Sequence, residues 1–100
     1  MCDHYNGLTP AQAERLAMLA EECAEVIQIV GKILRHGYDS FDPANPEVSN
    51  RQILTGELTD VAAVTTAMLD ANEVTFRTSS DIVAAWQRKL RYAHHQGDVG

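Results

Sequence analysis

Two pairs of acids are the residues best placed for chemistry in this chain. Glu22 and Glu25 stand three apart in "EECAEV", and Glu57 and Asp60 stand three apart in "GELTDV". Residues at i and i+3 lie on one side of a helix, so each pair can aim two carboxylates at a common point. At 100° per residue, Ile53, Glu57, Asp60 and Val64 share a helical face continued by Ala67, Met68 and Ala71, while Thr55, Thr59, Thr66 and Asp70 gather opposite. On the preceding helix, Met18, Val26, Ile29 and Ile33 form an apolar sector that takes in Glu22, with Glu25 at its edge and Glu21 beyond it. A buried carboxylate without a partner is costly, or else takes up a proton. The chain has only eight Lys and Arg, and none falls between Glu57 and Ala71. A divalent cation is the economical way to hold four such groups. An all-oxygen, carboxylate-rich set suits Mg²⁺, or Mn²⁺, over zinc. The plainer reading is that one such pair is a solvated helix face, or that Glu57 and Asp60 favour the dipole near a helix start. Two pairs on successive helices, both in or beside apolar sectors, tip the balance toward a site.

The elements that must carry these residues are helices. Thr9-Pro10-Ala11-Gln12 reads as a start, with a Thr cap, Pro at the first helical position and Gln where a capping box wants it. This first helix is expected to run to Arg35 or His36 and stop at Gly37. Residues 38–49, with two prolines and several Asp, Asn and Ser, read as a loop. A second helix is expected from a Ser49 or Asn50 cap to about Ala71, and a third from Ser80 and Asp81 to about His94. No β alternation or repeat is apparent, so the expected fold is all-α. Leu16, Ala20, Cys23, Ile27, Val30 and Leu34 make another apolar stripe on the first helix, expected to be the monomer core with Cys23 an inert member. A helix apolar on two sides is packed on two sides, which in a short chain suggests an oligomer.

Composition bounds the rest. A chain of 100 residues with 45% hydrophobic content and 22% charge fits one soluble domain, with residues 1–8 expected as an N-terminal arm and 96–100 as a flexible tail. The net charge of -6 argues against a general nucleic-acid or anionic-membrane surface. Two cysteines, Cys2 and Cys23, form neither a disulfide framework nor a metal pair, and no signal peptide or membrane span is evident, so a cytoplasmic protein is expected.

"EECAE" (Glu21 to Glu25) followed by "ELTD" (Glu57 to Asp60) resembles the EExxE…ExxD signature of the MazG-like, all-α nucleoside triphosphate pyrophosphohydrolases, small phage and bacterial members above all. The likeness covers roughly residues 9–71. Gly56 stands where relatives often carry another acid, and the span from Glu25 to Glu57 is on the long side for the signature. The resemblance implies hydrolysis of an NTP or dNTP between the α and β phosphates. It implies Glu22, Glu25, Glu57 and Asp60 as Mg²⁺ ligands, Glu21 and Glu22 as catalytic groups, and a homodimer or homotetramer of helical bundles. Three helices from one chain and at least one from another would then build each half-site.

Relatives often reach the phosphates with Lys and Arg of a late helix, and Arg88, Lys89, Arg91 and Tyr92 are the candidates here. Their plainer role is to complement the dipole at a helix C-terminus. Trp86 reads as a core or interface anchor, or as a platform for a base. Asn72 reads as a substrate contact or a C-cap, and Lys32, Arg35 and His36 as charge compensation closing the first helix. Nothing in the 38–49 loop reads as specific for a base. Two other functions compete with the pyrophosphohydrolase. One is a non-catalytic metal-binding helical oligomer acting by partner recognition. The other is a di-iron carboxylate bundle, which generally wants Glu-x-x-His twice, a motif this chain lacks.

Overall fold

Every helix among the described residues starts at a reciprocal side-chain cap. In the computed structural model, which describes residues 6–96, the elements are α1 (Pro10–His36), α2 (Asn50–Asp70) and α3 (Ser79–Leu90). The Thr9 hydroxyl accepts from the Gln12 N–H at 3.2 Å, and the Gln12 amide oxygen accepts from the Thr9 N–H at 2.9 Å. Ser49 and Gln52 repeat the arrangement for α2. Thr78 and Asp81 repeat it for α3, two residues ahead of the expected Ser80 start. Each box satisfies two backbone donors that a helix start otherwise leaves open. The first five residues, Cys2 among them, and 97–100 of the expected tail lie outside the described residues.

The stops are equally local. Gly37 takes a φ of 91° and returns its N–H to Ile33 O at 2.7 Å, ending α1 where the sequence expects. Asn72 sits at φ 58°, donating to Leu69 O at 3.0 Å while Glu73 donates to Met68 O at 2.9 Å. That pair of bonds is a Schellman motif with Asn in the left-handed position. The capping alternative is therefore what Asn72 does here. α3 ends at Leu90, short of the expected His94, so Arg91 and Tyr92 lie in a turn beyond it.

α1 and α2 form a hairpin tied at both ends. At the loop end Asn50 is buried and donates its side-chain amide to Gly37 O at 3.2 Å. Its N–H meets Ser40 O at 2.9 Å, the Arg51 N–H meets Tyr38 O at 2.8 Å, and Phe41 and Ser49 form an isolated β-bridge. The Arg51 guanidinium lies 4.5 Å over the Tyr38 ring and pairs with Asp39. At the open end Arg15 grips the Glu73 carboxylate, its Nε 3.0 Å from both oxygens. These ties decide which side of α1 meets α2.

That side is not the one expected as the monomer core. Ile29 and Met68 are the buried apolar residues of the seam, with Val26, Ile33, Ile53 and Val64 half-buried beside them. The stripe of Leu16, Ala20, Cys23, Ile27, Val30 and Leu34 faces outward, with Ile27 72% and Leu34 82% exposed. Cys23 is thus exposed and not a core residue. Periodicity identifies both faces as apolar; the loop contacts and the Arg15–Glu73 pair go with the Val26, Ile29 and Ile33 side.

α3 packs on neither α1 nor α2, and Ile82, Val83 and Trp86 are open on its surface. The radius of gyration is accordingly 17.5 Å, against about 13 Å for a compact chain of this length. No helix among the described residues is long and apolar enough to cross a membrane.

Candidate metal centre

The seam between α1 and α2 carries the acids. Because α2 lies against the Val26, Ile29 and Ile33 side of α1, Glu22 and Glu25 face Glu57 and Asp60 across the hairpin. One carboxylate oxygen from each of the four lies within 4.8 Å of all the others. Glu22, Glu25 and Glu57 are half-buried, while Asp60, expected mid-stripe, is exposed at the edge of the seam. Its exposure follows from the 100° step: α2's closest line to α1 runs through Ile53, Glu57, Val64 and Met68, and Asp60 is displaced to one side. Glu21 is exposed and stands outside the four, acting on Glu22 only through its charge.

Two of these oxygens, Oε2 of Glu22 and Oε2 of Glu57, are shielded from solvent and take no hydrogen bond among the described residues. Burial pushes the Glu22 carboxyl above the usual carboxylate range, and the charges of Glu25 and Asp60 add to it. Glu57 is pushed up first by a hydrogen bond with Glu25, then by burial and by the charges of Glu25, Asp60 and Glu22. Neither ion pair found among the described residues involves these acids: Arg15 is taken by Glu73 and Arg51 by Asp39.

Oxygen ligands on opposite sides of Mg²⁺ are roughly 4.2 Å apart, twice its bond length of about 2.1 Å. A set within 4.8 Å needs only a small inward rotation of the carboxylates to meet it. The donor chemistry and the two unpartnered oxygens therefore fit a hard divalent cation.

The expected phosphate-binding residues are not part of this cluster within one chain. Trp86, Arg88 and Lys89 are exposed on α3, and Arg91 and Tyr92 follow it, on an element that does not touch the hairpin. Asn72 caps α2 at the far end. The structure instead brings Lys32 to the seam. A cavity of about 280 Å³ is lined by Glu25, Gln28, Ile29, Lys32, Ile53 and Glu57. Lys32 has no ion-pair partner among the described residues. Its spacing from Glu25, seven residues or two helical turns, was the signal that a reading of Lys32 as a helix-end charge passes over.

Comparison with protein-family models, with curated proteins and with solved structures gave no match.

Proposed function

We propose that this chain is a Mg²⁺-dependent nucleoside triphosphate pyrophosphohydrolase of the MazG-like, all-α kind, converting an NTP or dNTP and water to a monophosphate and pyrophosphate. The observation that carries this reading is the convergence of Glu22, Glu25, Glu57 and Asp60 within 4.8 Å, with two buried oxygens unpartnered. A structural role would favour apolar side chains at those positions, since like charges weaken the seam they occupy. The resemblance of "EECAE" and "ELTD" to the MazG-like signature is what suggests the reaction class.

In this reading the four carboxylates would hold Mg²⁺, which would supply positive charge to a triphosphate and acidity to nearby water. A bond forms from the water oxygen to the α-phosphorus as the bond to the bridging oxygen breaks. The electron pair leaves with pyrophosphate, and the water proton passes to a carboxylate. The resemblance assigns that task to Glu22, one of the four converging carboxylates. Glu21, exposed one residue away, is left the lesser part of orienting water.

The open stripe of α1 and the unpacked α3 support assembly as a homodimer or homotetramer. Assembly would also give α3, with Arg88, Lys89, Arg91 and Tyr92, a place near a site. A cytoplasmic location is proposed on the free, exposed thiol of Cys23.

The test is pyrophosphate release from a panel of common and modified NTPs and dNTPs with Mg²⁺, wild type beside Glu57→Gln. Release that disappears in the variant, with monophosphate as co-product, supports the proposal. Orthophosphate in place of pyrophosphate would mean that a different bond is cut. Silence across the panel from protein that binds Mn²⁺ would favour the non-catalytic metal-binding oligomer.

A further inference from the structure

A second cavity adjoins the first. It has a volume of about 260 Å³, and Lys32, His36, Ser40, Phe41, Asp42 and Asn50 are among the residues that line it. Lys32 belongs to both walls. Glu25, Ile29, Lys32 and His36 follow one another at helical spacing along one face of α1, so the two cavities read as one groove. From Glu25 the groove reaches about 10 Å to Lys32 and about 16 Å to His36, at roughly 1.5 Å of rise per residue. That is the scale of a nucleoside triphosphate drawn out, not of a phosphate group alone.

The chemistry changes along the groove in the same sense. Four carboxylates converge at one end, a cation without an ion-pair partner among the described residues stands midway, and the loop end offers an aromatic ring, polar groups and the single carboxylate of Asp42. Phe41 is 50% exposed although it belongs to a bridged, well-tied loop. The Asn50 amide is held in place by its bond to Gly37 O, and its Oδ1 takes no hydrogen bond among the described residues. An exposed ring and a fixed amide lining one cavity are groups a heterocyclic base is recognised by: stacking on one, hydrogen bonding to the other.

We infer that this groove takes the whole nucleotide, with Lys32 on the phosphate chain and the nucleoside against Phe41 and Asn50 in the cavity beneath the 38–49 loop. The inference rests on the pyrophosphohydrolase reading and deepens it. It makes Lys32 the phosphate-binding cation of the chain's own site, and it places base selection in the 38–49 loop.

The experiment compares two probes with Mg²⁺ present: inorganic tripolyphosphate, and the α,β-imido analogues of the common deoxynucleoside triphosphates. Affinities are read by calorimetry for wild type, Lys32→Gln, Lys32→Arg and Phe41→Ala, with far-UV melts to establish that each variant folds. Lys32→Gln is expected to weaken both probes on the order of tenfold, the worth of one charge-assisted hydrogen bond, and Lys32→Arg to restore most of it. Phe41→Ala is expected to weaken the nucleotide analogue by about tenfold, from lost stacking, and to leave tripolyphosphate unchanged. Both variants binding both probes within about twofold of wild type would overturn the inference, while pyrophosphate release by wild type would leave the reaction assignment standing. A wild-type chain that neither binds the analogues nor releases pyrophosphate would remove both.

Discussion

Replacing Glu57 by Gln should make the cation-free protein more stable and at the same time abolish its response to divalent cations. Four carboxylates within 4.8 Å of one another make six like-charged pairs, and the amide removes three of them while keeping the side chain's shape. It also gives Glu25 a neutral hydrogen-bond donor in place of a carboxyl that must hold a proton to serve. The pH dependence gives the sign independently. Glu22 and Glu57 are raised in the folded state from the ordinary value of 4.5, so between 4.5 and their folded values the native chain binds more protons than the unfolded one. Stability from these two groups is therefore full below 4.5 and falls as pH rises through that window. A cation at one hundred times its dissociation constant adds about 2.7 kcal/mol to the wild type. At roughly 4–8 °C per kcal/mol, that is a rise of about 10–20 °C in Tm. Melts followed by circular dichroism in EDTA and in increasing Mn²⁺, at several pH values above 4.5, read all of this together. The wild type should lose Tm in EDTA as pH rises and recover it with Mn²⁺; Glu57→Gln should melt higher in EDTA, with a flatter pH slope and almost no gain from Mn²⁺. A variant that melts lower than wild type in EDTA and still gains from Mn²⁺ would refute the reasoning, because the seam would then be held by Glu57 and the cation by other groups.

Other outcomes test the fold and the assembly. Gly56→Ala should raise stability by about 1 kcal/mol in a chemical melt, since Gly56 lies inside α2 and an added Cβ meets nothing within 4 Å; pyrophosphate release should survive the change. Ile29→Ala, which removes a buried side chain beside Glu25, should cost about 2–4 kcal/mol and weaken Mn²⁺ binding as the seam loosens. Arg15 holds the Glu73 carboxyl below the usual range, so that pair's contribution is present above 4.5 and lost as pH falls through the folded value; Arg15→Ala should flatten the acid limb of a Tm profile measured below pH 4.5. Ile27→Asp, on the open stripe of α1, should convert the proposed oligomer to single chains in sedimentation while leaving helicity intact.

Much of what could be read in the sequence is fixed within four residues, although the Thr78 and Asp81 box of α3 is equally local and lies two residues ahead of the expected Ser80 start. The caps at Thr9, Ser49 and Gly37 are short-range hydrogen-bond chemistry, and they fall where the residue types point. The convergence of two acid pairs follows from the same short spacing, given any packing that brings the two helices together on that side. The choice of side was not legible. Both stripes of α1 are apolar, and the packing is decided by Asn50 reaching Gly37 across 13 residues and Arg15 reaching Glu73 across 58. Neither partner carries a local signal. Lys32 reads in the sequence as charge compensation near the end of α1, and the folded-back 38–49 loop adds that it lines two cavities.

The misplaced stripe and the acidic seam are connected. A hairpin whose inner face must hold Glu22, Glu25 and Glu57 has little room left for apolar burial, and Ile29 and Met68 are its buried apolar residues among those described. Hydrophobic stabilisation scales with area removed from water, at about 25 cal/mol per Å². A chain that spends its inner seam on carboxylates must find that area elsewhere. The area exists: Leu16, Ile27, Val30 and Leu34 on α1, and Ile82, Val83 and Trp86 on α3, all stand open. In the proposed reading, the catalytic acids and the need for a partner are therefore one design constraint. Each acid placed on the inner face lowers what one chain can supply to its own stability, and raises what covering the outer face must return.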